Sequence, residues 1–180
     1  MRALLLSGLG VACACGGLDN RPLVVGSVRG VAAGCDGDAV VGVVGDTSVQ
    51  VRPDEACVFR IDGLDPGAYE LFVAPTKNKV TLVPVQIAAT KLADVGDVDA
   101  RPGAFVRVRV SAPGSVELEG EVTAPDLPLA AAAIGRSGMA RIGPFPAGCF
   151  RLDVTMKQLG KKSATSCVAE GDERDVDVTY

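Results

Sequence analysis

A fourteen-residue segment occurs twice in this chain, and the duplication limits what the chain can fold into. Arg60-Ile61-Asp62-Gly63-Leu64-Asp65-Pro66-Gly67-Ala68-Tyr69-Glu70-Leu71-Phe72-Val73 is matched 81 residues later, without a gap, by Arg141-Ile142-Gly143-Pro144-Phe145-Pro146-Ala147-Gly148-Cys149-Phe150-Arg151-Leu152-Asp153-Val154. Each copy reads as a strand, a Pro/Gly turn and a second strand. On the second strand Tyr69, Leu71 and Val73 share one face by period two, as do Phe150, Leu152 and Val154. A turn followed by an aromatic-first strand at equal spacing predicts two related modules in tandem.

The rest of the chain agrees with an all-β reading. Short Val-rich runs are broken by Gly, Pro and Asp at close intervals, the pattern of a sandwich or barrel. Strands are expected at 23–31, 39–44, 48–52, 57–61, 69–74 and 80–87, then at 105–110, 115–122, 139–142, 149–155, 163–169 and 175–179. In the run from Phe105 to Val110, Val106, Val108 and Val110 alternate with Arg107 and Arg109, which places the valines inward and the arginines outward. The alanine-rich run 129–134 follows Pro128 and reads as strand or loop. The polar, turn-rich stretch 89–103 reads as a connector. The predicted architecture is two small β-sandwich modules, residues 23–88 and 104–180, with the linker 89–103 between them.

The N-terminus has the parts of a secretory signal: Arg2, an apolar run from Ala3 to Ala12, and a small-residue end. The run is too short to cross a bilayer as a stable helix, which needs about 20 apolar residues. The junction Ala12-Cys13-Ala14-Cys15-Gly16-Gly17 resembles a bacterial lipoprotein lipobox, with Ala12 where Leu is commonest. That resemblance implies cleavage after residue 14 and lipid, palmitate included, on Cys15, with Cys13 a rival acceptor and 15–22 a tether. Gly16 and Gly17 lack the Asp that can signal inner-membrane retention, so the resemblance points to the outer membrane or surface of a Gram-negative cell.

After lipidation of Cys15, four cysteines remain, an even number suited to two disulfides in an oxidising compartment. Of three pairings, spacing favours Cys35–Cys57 and Cys149–Cys167. Cys149 and Cys167 are centred on Gln158 in the turn-like segment Lys157-Gln158-Leu159-Gly160, so a hairpin about that tip brings them face to face. Cys35 and Cys57 are centred on Asp46 beside Gly45, with arms that pass through Pro53 and fix the register less tightly. A domain of about 60 residues buries only about 60% of its unfolded surface. One bridge per module, worth about 3 kcal/mol in the chain-entropy model, therefore suits modules of this size.

Residues Val24 to Val28, Asp36 to Val43 and especially Phe59 to Leu71, with its Gly63-Leu64-Asp65-Pro66-Gly67-Ala68-Tyr69-Glu70-Leu71 core, resemble the carboxypeptidase regulatory-like (transthyretin-like) domain. The likeness covers residues 23–88; the second module carries the motif in altered form, from Gly143 to Phe150. It implies a small seven-stranded sandwich serving as a stalk, spacer or binding surface. It implies no catalytic residues.

The composition narrows the chemistry. The chain has no histidine, which removes the common general-base, triad and zinc schemes. No Gly-x-Ser-x-Gly elbow is present, and most acids sit at turns, where Asp is expected for geometry. Asp36, Asp38 and Asp46 offer oxygen ligands of the kind calcium prefers, but without a full calcium-loop pattern they read as turn acids. With 18 basic and 22 acidic residues and no basic block, no nucleic-acid surface is indicated. Arg101, Arg107, Arg109, Arg141 and Arg151 read as solvent-facing positions that discourage edge pairing, with an arginine docking face as the alternative. The chain has no Trp, and Phe72, Phe145 and Tyr180 are the candidates for an exposed glycan platform, while Tyr69 and Phe150 are assigned to the core.

Together these readings predict a non-enzymatic lipoprotein without metal or cofactor, held to the membrane by its lipid and docked to an envelope protein. The alternative is a module that binds surface polysaccharide or peptidoglycan.

Overall fold

The computed structural model describes residues 24–114 and 117–180, and every regular element among them is a β-strand. The signal segment 1–14, Cys13, Cys15 and the tether 15–22 lie outside the described residues. The first half holds β1 (Gly26–Ala32), β2 (Val40–Val43), β3 (Asp46–Val51), β4 (Val58–Leu64), β5 (Gly67–Thr76), β6 (Lys79–Ile87) and β7 (Leu92–Val98). A two-residue strand, β8 (Arg101–Pro102), precedes the second half. There follow β9 (Ala104–Ser111), β10 (Gly120–Thr123), β11 (Ala132–Ile134), β12 (Met139–Phe145), β13 (Gly148–Met156), β14 (Gly160–Val168) and β15 (Glu173–Thr179).

The two halves have the same topology. A three-stranded sheet β4-β1-β7 faces β3-β2-β5-β6, which β8 extends; a sheet β12-β9-β15 faces β11-β10-β13-β14. The starts of β12, β13, β14 and β15 lie 81 residues after those of β4, β5, β6 and β7, so the duplication seen in one hairpin runs through four strands. In each half the first and last strands lie side by side in parallel, β1 with β7 and β9 with β15. The fold is thus all-β, two tandem sandwiches.

Period-two alternation builds each core. Val28, Phe59 and Ile61 of one sheet meet Val41, Leu71, Val73 and Ile87 of the other. In the second half Val106, Val108 and Ile142 meet Val122, Leu152 and Val154. Along β9 the valines are buried and Arg107 and Arg109 exposed, as the alternation predicts.

Both expected disulfides form. Cys149 and Cys167 are register partners in the β13–β14 hairpin, with Cα atoms 3.9 Å apart. Cys35 and Cys57, with Cα atoms 5.6 Å apart, join the loop after β1 to the residue before β4.

The stretch 89–103 is not a plain connector. It contains β7, whose Ala93, Val95 and Val98 pack on the first core, and β8, which pairs with β6. The register of β1 against β7 shifts between Arg29 and Val31, opposite Gly96. This bulge puts Val95 and Val98 on the same face although they are three residues apart, which hides the strand from a period-two reading. Its counterpart β15 has no such shift and was legible. In the run 129–134 only β11, its last three residues, is a strand.

Candidate functional site: the seam and the outer sheet faces

The seam between the halves follows from the outward positions of β5 and β6. Leu71 and Val73 point into the first core, so Phe72 and Ala74 point out of it; on β6, Val80 and Leu82 do the same. Phe72 is 0% exposed because it belongs to the core cluster of the second half, together with Ala74, Val80, Leu127 and Phe145. The loop between β10 and β11 lies over the outward side of β2: a Cβ on Gly42 would sit 2.7 Å from Pro128. That close approach requires glycine there. The Gly45 N–H donates to the Asp126 carbonyl at 2.9 Å, and the Gly171 N–H to the Pro102 carbonyl at 3.1 Å. Burying a side chain the size of Phe72 or Leu127 contributes about 1.5–3 kcal/mol. The halves therefore share one apolar core across the seam. A groove of about 420 Å³ flanks it, lined by Val40, Gln50, Arg52, Pro128, Leu129 and Ala130.

This packing corrects the aromatic assignments. Phe72 is closed off by the second half, and Phe145, at the position that Leu64 holds in the first copy, is 0% exposed in the core. Phe150 is half-buried, its ring centroid 5.4 Å from that of Phe145. Tyr69 is also half-buried; its hydroxyl donates to the Asp65 carbonyl at 3.0 Å and ties down the β4–β5 turn. Tyr180 is half-buried too: its hydroxyl donates to the Val154 carbonyl at 2.8 Å, while Lys162 lies over its ring. Burial pushes the Tyr180 phenol above its ordinary range, opposed by a hydrogen bond from the Lys162 backbone. Of the three aromatics, only part of Tyr180 is left for a glycan platform.

The outer faces of the three-stranded sheets carry a charge row that the sequence reading did not assemble. Arg29 lies opposite Arg60 on one side and Asp94 on the other. Arg107 lies in the same way between Arg141 and Asp175. The Arg29 guanidinium is 2.7 Å from Asp94, and Arg107 is 2.9 Å from Asp175. Arg141 reaches Glu173 at 2.9 Å and stacks over Phe105. The Gly96 N–H, and then Arg29, hold the Asp94 carboxyl below its ordinary range; Ser27, and then Arg60, do this for Asp62.

The edge-protection reading of the arginines fails for Arg107 and Arg109, because β9 is the central strand of its sheet. A single five-arginine face is not formed either, since Arg151 stands on the opposite sheet, 3.8 Å from Asp153. Asp153 is the one buried carboxylate among the described residues; Lys161 at 2.7 Å and the Ser163 hydroxyl, also at 2.7 Å, hold it below its ordinary range.

Asp36, Asp38 and Asp46 do not converge: Asp36 accepts from the Asp38 N–H, and Asp46 from the Ser48 N–H and hydroxyl. They act as turn residues. Among the described residues no helix is long and apolar enough to cross a membrane, and no group of three or more acidic or cysteine side chains is placed to hold a metal ion.

No family model matches the chain. No curated protein matches it either. Among solved structures it is similar to the Bacillus anthracis TIE protein, with 12% identity and a TM-score of 0.35 over 87% of this chain; it spans 34% of that protein's length. It is similar to GBS52, the minor pilin of Streptococcus agalactiae, with 9% identity and a TM-score of 0.35 over 86% of this chain and 94% of the pilin. It is also similar to a DUF3823 family protein from Bacteroides ovatus, with 11% identity and a TM-score of 0.33 over 82% of this chain and 99% of that one. Likenesses at this level carry no argument about activity, partner or location.

Proposed function

We propose that the chain is a non-catalytic structural and docking module of a bacterial envelope or cell-surface assembly, held to the outer membrane by lipid on Cys15. The observation that carries this reading is the apolar core shared across the seam. A linker-joined pair of sandwiches swings freely, whereas a pair that buries Phe72, Val80, Leu127 and Phe145 together is a stiff spacer. Such a body sets a fixed distance between an anchored end and a docked protein. In this reading the modules are residues 24–98 and 104–180, joined by 99–103. The carboxypeptidase regulatory-like resemblance is kept for the first module, which has seven strands as that family does. The two disulfides support an exported location. The polysaccharide or peptidoglycan reading loses Phe72 and Phe145, the aromatic platforms it called for.

The test is crosslinking in living cells, capture of the chain and mass spectrometry, alongside fractionation of a Cys15→Ala variant. A stoichiometric envelope-protein partner and release of the variant from membranes are expected. Recovery of glycan alone overturns the docking role, and a variant that stays with the membrane overturns the anchor.

A further inference from the structure

The two disulfides differ in where an attacking thiol can reach them. Cys35 and Cys57 are both half-buried, between the loop after β1 and the turn before β4. Cys149 and Cys167 are both exposed. They share the outward face of β13 and β14 with the next pairs along the ladder, Arg151 with Thr165 and Asp153 with Ser163. The bridges close loops of similar size, with sequence separations of 22 and 18 residues, so chain entropy does not distinguish them. Access does. Exchange requires a thiolate to approach a sulfur, and only the second bridge joins two exposed residues on an outward sheet face.

The hairpin around the second bridge does not rest on that bridge alone. Nine consecutive register pairs, from Gly148 with Val168 to Met156 with Gly160, hold the hairpin without it. Arg151, on the same face, sits loosely between acids, 3.8 Å from Asp153 and 4.0 Å from Asp126.

We infer that Cys149–Cys167 is a surface thiol–disulfide exchange site open to a dithiol, while Cys35–Cys57 is a structural bridge. One thiolate of the dithiol attacks a sulfur of the bridge, the S–S bond breaks, and the other cysteine leaves as a thiolate that takes a proton from water. The second thiol of the dithiol, after losing its proton, displaces the bound cysteine. Two electrons have then moved to the bridge, the dithiol is left as its own disulfide, and residues 149 and 167 carry thiols.

The test is a time course of the intact native protein in dithiothreitol, quenched by alkylation and read by peptide mapping, with circular dichroism followed in parallel. Cys149 and Cys167 are expected to label at least tenfold faster than Cys35 and Cys57, with the strand signal unchanged. Equal rates, or faster opening of Cys35–Cys57, overturn the assignment, as does opening of Cys149–Cys167 only when the strand signal is lost. In a Cys149→Ser/Cys167→Ser variant the remaining bridge is expected to stay slow. Rapid labelling of Cys35 and Cys57 in a variant that keeps the wild-type strand signal also overturns it.

Discussion

The outward faces of the two larger sheets start from one plan and end in opposite chemistry. The inward residues agree, Leu71 with Leu152 and Val73 with Val154, and all four are fully buried. At the outward positions Phe72, Ala74, Val80 and Leu82 are answered by Asp153, Thr155, Lys161 and Ser163. The first face is apolar and covered by the other half. The second is polar, and its central acid is tied to Lys161 and Ser163. A duplicated sandwich keeps the core that makes it fold, while its outer face is free to specialise for a neighbour or for water. The same backbone has one face fit for the seam and one fit for solvent.

Exchanging residues between the faces breaks this contrast. Phe72→Asp places the second face's acid in the seam without Lys161 or Ser163 to meet it. A loss of about 3–5 kcal/mol is expected for an unpaired buried charge. Urea unfolding followed on probes in each half should separate into two transitions; a single unshifted transition would show that burial of Phe72 does not hold the seam.

A smaller effect is expected on the polar face. Asp153→Asn keeps the shape but removes the charge, costing about 1–2 kcal/mol at neutral pH. The Asp153 pKa is lowered by folding, so its contribution is present above the unfolded value of about 3.9 and drains away as pH falls through the folded value. The wild-type urea midpoint should therefore drop more steeply than that of Asp153→Asn below about pH 4. Parallel profiles would remove Asp153 from the stability of that face.

The smallest effect concerns the charge row, which the two halves share. Its members are about half exposed, so Asp175→Asn should cost no more than about 1 kcal/mol and less at high salt. A larger loss that salt does not diminish would mean that the row is structural.

Much of this was legible in sequence because it is local. The Cys149–Cys167 pairing follows from symmetry about Gln158, and the inward valines of β9 follow from strict alternation. What was missed depends on partners distant in the chain. Phe72 reads as an exposed position on an amphipathic strand, and only the packing of residues near Leu127 against it makes it core. β7 is hidden by the bulge at Gly96, although the 81-residue spacing that maps it onto β15 was in view. Arg107 and Arg109 look like edge guards until Asp175 and Met139 are found on either side of their strand. Cross-strand neighbours of this kind are set by topology, which a local pattern does not carry.

The parallel pairing of first and last strands has a mechanical consequence. The chain enters each half at the start of β1 or β9 and leaves at the far end of β7 or β15, so tension on the ends pulls those two strands past each other lengthwise. The backbone bonds between them are then loaded together in shear, where an antiparallel hairpin pulled at its open end would unzip one bond at a time. Each half is thus built as a link that bears load along its length.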